Sequence, residues 1–355
     1  MYVAGIDAHA TYLVVGVVSN AGDLVEPPRR IPNAHTDRLL ELLHRYQPIE
    51  AVVETSPAWP WLYELLTRQG VGFVLAHAKR LRAIAESNYK TDEIDAEVLA
   101  RVRVAGLIPE VYPKPAAQRE HALLLRHRTR LVRMRTAAAG RIHAELHGVG
   151  LRLPRGRLLT KKGRRHVAGG ASSRLRAEQR RLLETHFALI DHLRPVIGEL
   201  DTRIEDVGHE IPAVQLLRTV PGIGPYRGLL IATEVMPIHR FASPAHLVSY
   251  AGLAPRTKKS GLAPVRHGSI PAGVNRWLRG AFVRGALSHV QTAPNSWLTQ
   301  YYDVQKKRLG WQVARVAAAR KLARAVHAML RTGEVWQSRS TTTDERGELD
   351  AQHVA

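Results

Sequence analysis

Apolar residues in the first third of the chain come in short, dense runs. Tyr2–Asp7 and Tyr12–Val18 are rich in Val and Leu, and turn signals follow them at Asp7-Ala8-His9 and Asn20-Ala21-Gly22-Asp23. That is the pattern of buried strands joined by tight connections. Leu24–Ile31 predicts a third strand closing a meander, with Pro27 and Pro28 confining part of it to a sheet edge. From His35 the period changes, and Leu39, Leu40, Leu42 and Leu43 place a helix over His35–Tyr46. Short strands at Glu50–Glu54 and Val71–Ala76 then alternate with helices over Pro57–Gln69, stopped by Gly70, and Ala78–Glu86. A last helix over Asp92–Ala105 starts at Thr91, a good N-cap before acids in the first turn. Three meandering strands followed by alternating helices and strands predict an α/β domain with a mixed sheet over residues 1–115.

Beyond this the period is helical. Ala117–Leu146 and Arg176–Gly208 are long periodic runs, the second interrupted by Pro195, and the Gly-, Arg- and Lys-rich stretch Gly148–Ser173 between them reads as a loop. Two long helices over residues 116–210 predict a helical hairpin, either packed as an internal core or engaged in an intermolecular coiled coil. Residues 211–335 form a third, mainly α unit, ending in helices around Asn275–Gln291 and Tyr301–Arg331. The polar tail 336–355 has the composition of a disordered segment.

Charge sharpens the division. The 355 residues include 52 Lys/Arg and 31 Asp/Glu, a formal net charge of +21. Residues 1–115 hold 12 basic and 14 acidic residues, whereas residues 119–181 hold 18 basic residues against only Glu120, Glu145 and Glu178, a net of +15. Solvated helix faces usually alternate in sign to gain i,i+4 pairs, yet Arg126, Arg128, Arg130, Arg133 and Arg135 have no nearby acids in sequence. A polyanion partner is the natural counterpart, with Arg126, Arg130, Arg133, Lys161, Lys162, Arg164 and Arg165 as its contacts. Aromatic residues are 6% of the chain, few for stacking single-stranded bases. The absence of Cys excludes a disulfide framework, a Cys-ligated zinc site and a thiol nucleophile. The early acid and missing basic segment at the N-terminus argue against a secretory signal, and no apolar run approaches the roughly 18–20 residues of a membrane span.

The acidic first domain needs its own explanation. In the expected sheet the first and fourth strands lie side by side and parallel, so Asp7 and Glu54 meet at the carboxyl edge where α/β sheets bind ligands. Asp92 and Asp95, three apart, share one helix face and reach the same edge. Each alone reads as a turn residue or a cap; the four in this topology read as one site. Glu93 points about 100° away from Asp92, and Glu97 falls on the opposite side. Clustered carboxylates need a counter-cation. Two divalent ions roughly 3.5–4 Å apart would satisfy them and form the clamp used in phosphodiester chemistry. All-oxygen ligands favour Mg²⁺ or Mn²⁺ over Zn²⁺. Lys90 is placed to touch a nucleic-acid phosphate, and His9 to do likewise or to assist proton transfer.

Towards the C-terminus, Val220-Pro221-Gly222-Ile223-Gly224-Pro225 resembles a helix-hairpin-helix turn, in which Gly222 and Gly224 permit backbone approach to a phosphate and Pro225 suits the next helix's first turn. Ser260 reads from composition as a turn serine. Arg256, Lys258, Lys259 and Arg266 nevertheless surround it with positive charge that favours an alkoxide, and Arg276 lies just beyond.

The ordered set Gly5-Ile6-Asp7, Val53-Glu54, Lys90-Thr91-Asp92-Glu93-Ile94-Asp95, Pro221-Gly222-Ile223-Gly224, Tyr250-Ala251-Gly252-Leu253-Ala254-Pro255, Ser260-Gly261 and Gly273-Val274-Asn275-Arg276 resembles the IS-one-ten family of insertion-sequence transposases. The resemblance runs over about residues 1–335 and departs from the family pattern at Pro264, Pro271 and the basic loop 150–175. It implies an RNase H-like (RuvC-like) N-terminal domain whose DEDD metal site falls on Asp7, Glu54, Asp92 and Asp95. It also implies a C-terminal transposase domain whose nucleophilic serine falls on Ser260. Family members are DNA recombinases guided by a bridge RNA. They assemble as dimers and tetramers in which one protomer's metal domain meets another's serine domain, and the implied location is the bacterial cytoplasm, at the nucleoid. The residues also admit a RuvC-type Holliday-junction nuclease using metal-activated water, or a non-catalytic nucleic-acid-binding protein.

Overall fold

A computed structural model describes residues 1–82, 84, 91–154, 156, 158, 160–167, 169, 174–254 and 274–338, and the backbone of 257, 258, 266 and 267. The chain forms two compact units, Met1–Ala116 and the residues that follow.

In the first unit, β1 (Tyr2–Ala8), β2 (Tyr12–Ser19) and β3 (Leu24–Pro32) form the meander. It is followed by α1 (Thr36–His44), β4 (Ile49–Glu54), α2 (Trp59–Arg68), β5 (Gly72–Ala76), α3 (Ala78–Leu81), α4 (Asp92–Val104) and β6 (Glu110–Val111). The sheet order is β3-β2-β1-β4-β5-β6. β1 runs antiparallel to β2 and parallel to β4, with Ile6 opposite Val53, so the expected pairing of first and fourth strands is present. β3, carrying both prolines, is the edge strand and has register shifts against β2.

Both faces of the sheet are covered, which is why its central strands read as nearly continuous apolar runs. Ala4, Ile6, Leu13, Val15 and Val53 pack against Leu39, Leu42 and Leu43 of α1 and Leu62 and Leu66 of α2. On the other face Val3, Val18, Val52 and Val74 pack against Leu99 and Ala100 of α4. The sixth strand was not expected, because two residues are too short to show a period. The helix expected over Ala78–Glu86 is described only as Ala78–Leu81, residue 83 and residues 85–90 lying outside the described residues.

The second unit begins with α5 (Ala116–Gly148) and α7 (Ala177–His209), an intrachain hairpin. Ala138, Ile142 and Leu146 of α5 share a small core with Leu183 and Ile190 of α7, closed by Leu158, Val167 and Leu175 from the connection. The connection is not only loop: α6 (Lys161–His166) forms within it, its first turn capped by the Thr160 hydroxyl, which accepts from the Gly163 N–H. This corrects the reading of Gly148–Ser173 as a loop. A cap and a six-residue turn leave too little periodicity to be seen.

Then come α8 (Pro212–Arg218), α9 (Pro225–Val235), a 3₁₀ turn at Ile238–Arg240, α10 (Pro244–Tyr250), β7 (Thr257–Lys258), β8 (Arg266–His267), α11 (Arg276–Thr292), α12 (Trp297–Leu309) and α13 (Trp311–Thr332). Every residue from Gly228 to Val235 is buried, so α9 is the central helix of this core. Leu125 of α5 and Ile204 of α7 pack into the same core as Leu229, Phe282, Leu322 and Val326. One helix expected over Tyr301–Arg331 is two, α12 and α13, because Gly310 takes a φ of +77° at the break. Trp336, at the head of the segment expected to be disordered, is packed: its backbone N–H donates to the Thr219 hydroxyl at 3.0 Å and its ring stacks on Trp297, which corrects that boundary, and the residues from 339 onward lie outside the described residues.

Candidate functional site

The first candidate site grows from strand alternation. Ile6 and Val53 face α1 and α2, so Asp7 and Glu54, the next residue on each strand, face α4. α4 begins directly over this edge. The Thr91 hydroxyl accepts from the Ile94 N–H at 3.3 Å, and Asp92, Glu93 and Asp95 occupy the first turn, where the helix dipole favours negative charge. Glu97 pairs instead with Arg101, its Oε1 accepting from the guanidinium at 2.7 Å.

Asp7 and Asp92 come together around His9. The His9 Nε2 lies 3.0 Å from Asp7 Oδ2 and 3.4 Å from Asp92 Oδ2. One ligand atom from each of Asp7, His9 and Asp92 lies within 4.8 Å of the other two. Glu54 and Asp95 are not part of that trio, although Asp95 acts on Asp7 electrostatically. Burial raises the Asp7 carboxyl above its ordinary value; His9 pulls it down, and the charges of Asp95 and Asp92 push it up further. A carboxyl that resists ionisation beside two others is one that a cation would relieve. The donor set therefore fits a divalent ion, with one difference from the all-oxygen expectation: an imidazole belongs to it.

Two further side chains complete the cluster, and sequence reasoning missed both. The Tyr12 hydroxyl donates to Asp92 Oδ2 at 2.9 Å, a bond that raises the phenol above its ordinary value. The Arg30 guanidinium stands 3.9 Å above the Tyr12 ring and 3.8 Å from Asp92 Oδ2, and the His9 and Tyr12 rings stack 4.6 Å apart. The available signal was period two: Tyr12 shares its side of β2 with Val18, which faces α4, and Arg30 is the register partner of Val14.

In the second unit the basic residues are less unpartnered than local sequence implies. Arg126 reaches Glu234 at 3.6 Å, and Arg128 makes a two-pronged pair with Asp201 at 2.9 and 3.0 Å. Acids far along the chain supply what the local sequence lacks, which corrects the expectation of a run without acids. Arg130 and Arg133 are exposed on α5. Lys161, Lys162 and Arg165 are exposed on α6, while Arg164 pairs with Asp191, whose carboxyl it holds below the ordinary value, and lies over Phe187.

Gly222 takes a φ of +88°, and a Cβ there would stand 2.5 Å from the His289 nitrogen, so its lack of a side chain serves packing against α11. Gly224 is the exposed N-cap of α9 with open space around it, and Pro225 is the first helical residue. Lys258 and Arg266 are register partners in the β7–β8 ladder. Arg276 opens α11 behind the Asn275 cap, whose Oδ1 accepts from the Leu278 N–H at 3.0 Å. The Asn275 amide donates to the buried Glu234 carboxylate at 2.7 Å, and its backbone N–H donates to the Tyr250 carbonyl at 3.1 Å. Lys90, Lys259 and Ser260 lie outside the described residues.

A family model described as Transposase IS116/IS110/IS902 family matches residues 214–303, and a DEDD transposase model of the IS110 type matches residues 4–150. The chain belongs to the IS110 family of transposases. Relatives of this family member include the transposase for insertion sequence element IS1111A of Coxiella burnetii, 26% identical over 281 residues that cover 78% of this chain and 76% of that one. The transposase for insertion sequence element IS1328 of Yersinia enterocolitica is 25% identical over 308 residues, 84% and 89% of the two chains. Among solved structures, T. thermophilus RuvC in complex with Holliday junction substrate aligns at 20% identity and a TM-score of 0.24, covering 31% of this chain and 100% of that one. Among the described residues no helix is long and apolar enough to cross a membrane.

Proposed function

We propose that this transposase cuts and rejoins double-stranded DNA, as a recombinase of its insertion sequence, with its metal centre in the first unit. The observation that carries the reading is the meeting of Asp7 and Asp92 around His9, all three offering ligand atoms within 4.8 Å. The sheet order, with an antiparallel second strand and the first strand beside the fourth, supports the RNase H-like assignment of residues 1–115.

Asp7, Asp92 and His9, with Glu54 and Asp95 at the same edge, would hold Mg²⁺ or Mn²⁺. Such an ion supplies Lewis-acid stabilisation to charge developing on a phosphodiester. The chain's own residues do the rest. Tyr12 holds Asp92 through its hydroxyl, and Arg30 brings to the same carboxylate a positive charge that suits a phosphate.

Ser260 is the proposed nucleophile. Its hydroxyl oxygen bonds to phosphorus, its proton passes to solvent or a nearby base, and a deoxyribose oxygen leaves. The bond energy kept in the phosphoserine allows religation without ATP. The net +15 of residues 119–181 suits a polyanion partner, read here as element DNA together with a structured guide RNA, and the working form is read as a dimer or tetramer.

The experiment is a recombination assay with element ends, read on a denaturing gel. Ser260→Ala is expected to abolish the protein–DNA adduct and the product, and Asp7→Asn to abolish both at any Mg²⁺ concentration. Cleavage without an adduct, leaving free 5′-phosphates, would replace the serine mechanism with the water-based nuclease.

A further inference from the structure

Between α5, the start of α9 and α11, the second unit contains a cavity of about 770 Å³. Arg133, Arg227, Arg276 and Arg284 all line it, and its lining contains no Asp or Glu. Arg128, also on its wall, is engaged by Asp201. Among the described residues, no carboxylate pairs with the other four. Arg227 is tied down from within the fold, donating to the Gly222 carbonyl at 2.7 Å, and burial together with the charge of Arg284 lowers its pKa. Four guanidiniums held at one concave surface without an acid repel one another, and a bound polyanion would relieve that repulsion.

The same wall carries two aromatic side chains, Trp277 and Tyr226. Arg133 lies 5.6 Å from the Trp277 ring centroid. The Tyr226 hydroxyl is held at 2.6 Å from the Thr129 hydroxyl, which fixes its ring against α5. Arginine with aromatic rings in one groove is the chemistry of single-stranded nucleic acid, with phosphates on the cations and bases against the rings. A duplex, about 20 Å across, lies over a cavity of this size rather than in it, so the concavity favours an unpaired strand.

We propose that this cleft is a binding site for a single-stranded nucleic-acid segment, holding its phosphates on Arg133, Arg227, Arg276 and Arg284 and a base beside Trp277. The proposal rests on the transposase reading only for the presence of an unpaired strand; the binding itself needs neither metal nor Ser260.

The test uses the full chain in EDTA with labelled strands of about 20 nucleotides: single-stranded DNA, single-stranded RNA of the same sequence, and duplex DNA. Arg133, Arg276 and Arg284 are exposed, so the triple variant Arg133→Gln/Arg276→Gln/Arg284→Gln is expected to keep its melting temperature. It should bind single strands about tenfold more weakly at moderate salt, and the slope of log affinity against log salt should fall by about two. The control, Lys306→Gln/Lys307→Gln/Arg308→Gln, removes three exposed charges outside the cleft and should lose much less. Trp277→Leu should erase the preference for single strands over duplex, and Trp277→Tyr should restore it. The DNA and RNA arms identify the strand held. Equal losses in the cleft variant and the control, or a cleft variant whose defect is confined to duplex, would overturn the assignment. Because catalysis is not read, failed strand transfer with intact binding counts against the proposed mechanism and not against the cleft.

Discussion

The carbonyl oxygen of Ala96 in α4 lies against Gly5 of β1 so closely that a Cβ on Gly5 would collide with it. Ala96 and Ala100, both fully buried, complete the close approach of helix to strand. This contact sets the height of α4 above the sheet, and so the height of Asp92 and Asp95 above Asp7. Gly5→Ala is expected to lift the helix at a cost of about 1–3 kcal/mol. It should weaken Mn²⁺ binding measured calorimetrically although no ligand is altered. Unchanged Mn²⁺ affinity in a folded Gly5→Ala protein would separate the site from this contact.

Asp7 predicts an inverse pH dependence. Its carboxyl is raised above the ordinary 3.8, by burial first and by Asp95 and Asp92 next, so the folded chain favours the protonated form. Stability from this group is full below 3.8 and falls as pH rises through the folded value. In EDTA at neutral pH, Asp7→Asn should raise the melting temperature of the metal-free protein by about 1–3 °C. The gain should vanish in acid. With Mn²⁺ present the order should reverse, because the variant loses the ion's stabilisation. A lower melting temperature for Asp7→Asn in EDTA at neutral pH would contradict this.

An imidazole among the candidate ligands would change which ion is preferred. Nitrogen donors suit Mn²⁺, Co²⁺ and Zn²⁺ better than Mg²⁺. His9→Gln is expected to weaken Mn²⁺ about tenfold and Mg²⁺ much less. Pulsed EPR of the Mn²⁺ form should show a nitrogen coupling that His9→Gln removes. A spectrum without that coupling in the unmodified protein would return the site to oxygen donors alone.

His289 pins the turn at Pro221-Gly222. It is fully buried, with Nδ1 2.9 Å from the Pro221 carbonyl and Nε2 2.6 Å from the Ser296 hydroxyl. A carbonyl only accepts, so Nδ1 carries the proton and Nε2 accepts from Ser296. Burial lowers the imidazole below its ordinary 6.5. The neutral form is the folded form, so stability is full above 6.5 and is lost as pH falls through the folded value. His289→Ala should cost about 2–4 kcal/mol and flatten that acid limb in denaturant titrations.

The first unit was legible because its strands are buried on both faces and its turns are marked by Asn, Gly and Asp. Thr91 announced the start of α4, and the order of elements placed β1 beside β4, hence Asp7 and Glu54 on neighbouring strand ends. Local pattern carried less elsewhere. β6 is two residues long, α6 six, and Gly310 looks like any glycine until its φ is known.

By itself, the order of residues determined the strands, the long helices, the capped acidic turn and the family, because these depend on periods and spacings within one stretch of chain. Only tertiary structure decided that His9, Tyr12 and Arg30 gather on Asp92, that Arg126 and Arg128 find acids 108 and 73 residues away, and that four other arginines share a cavity without any. Coulomb energy depends on separation in space, and a linear pattern carries that only where the backbone between two charges is itself periodic.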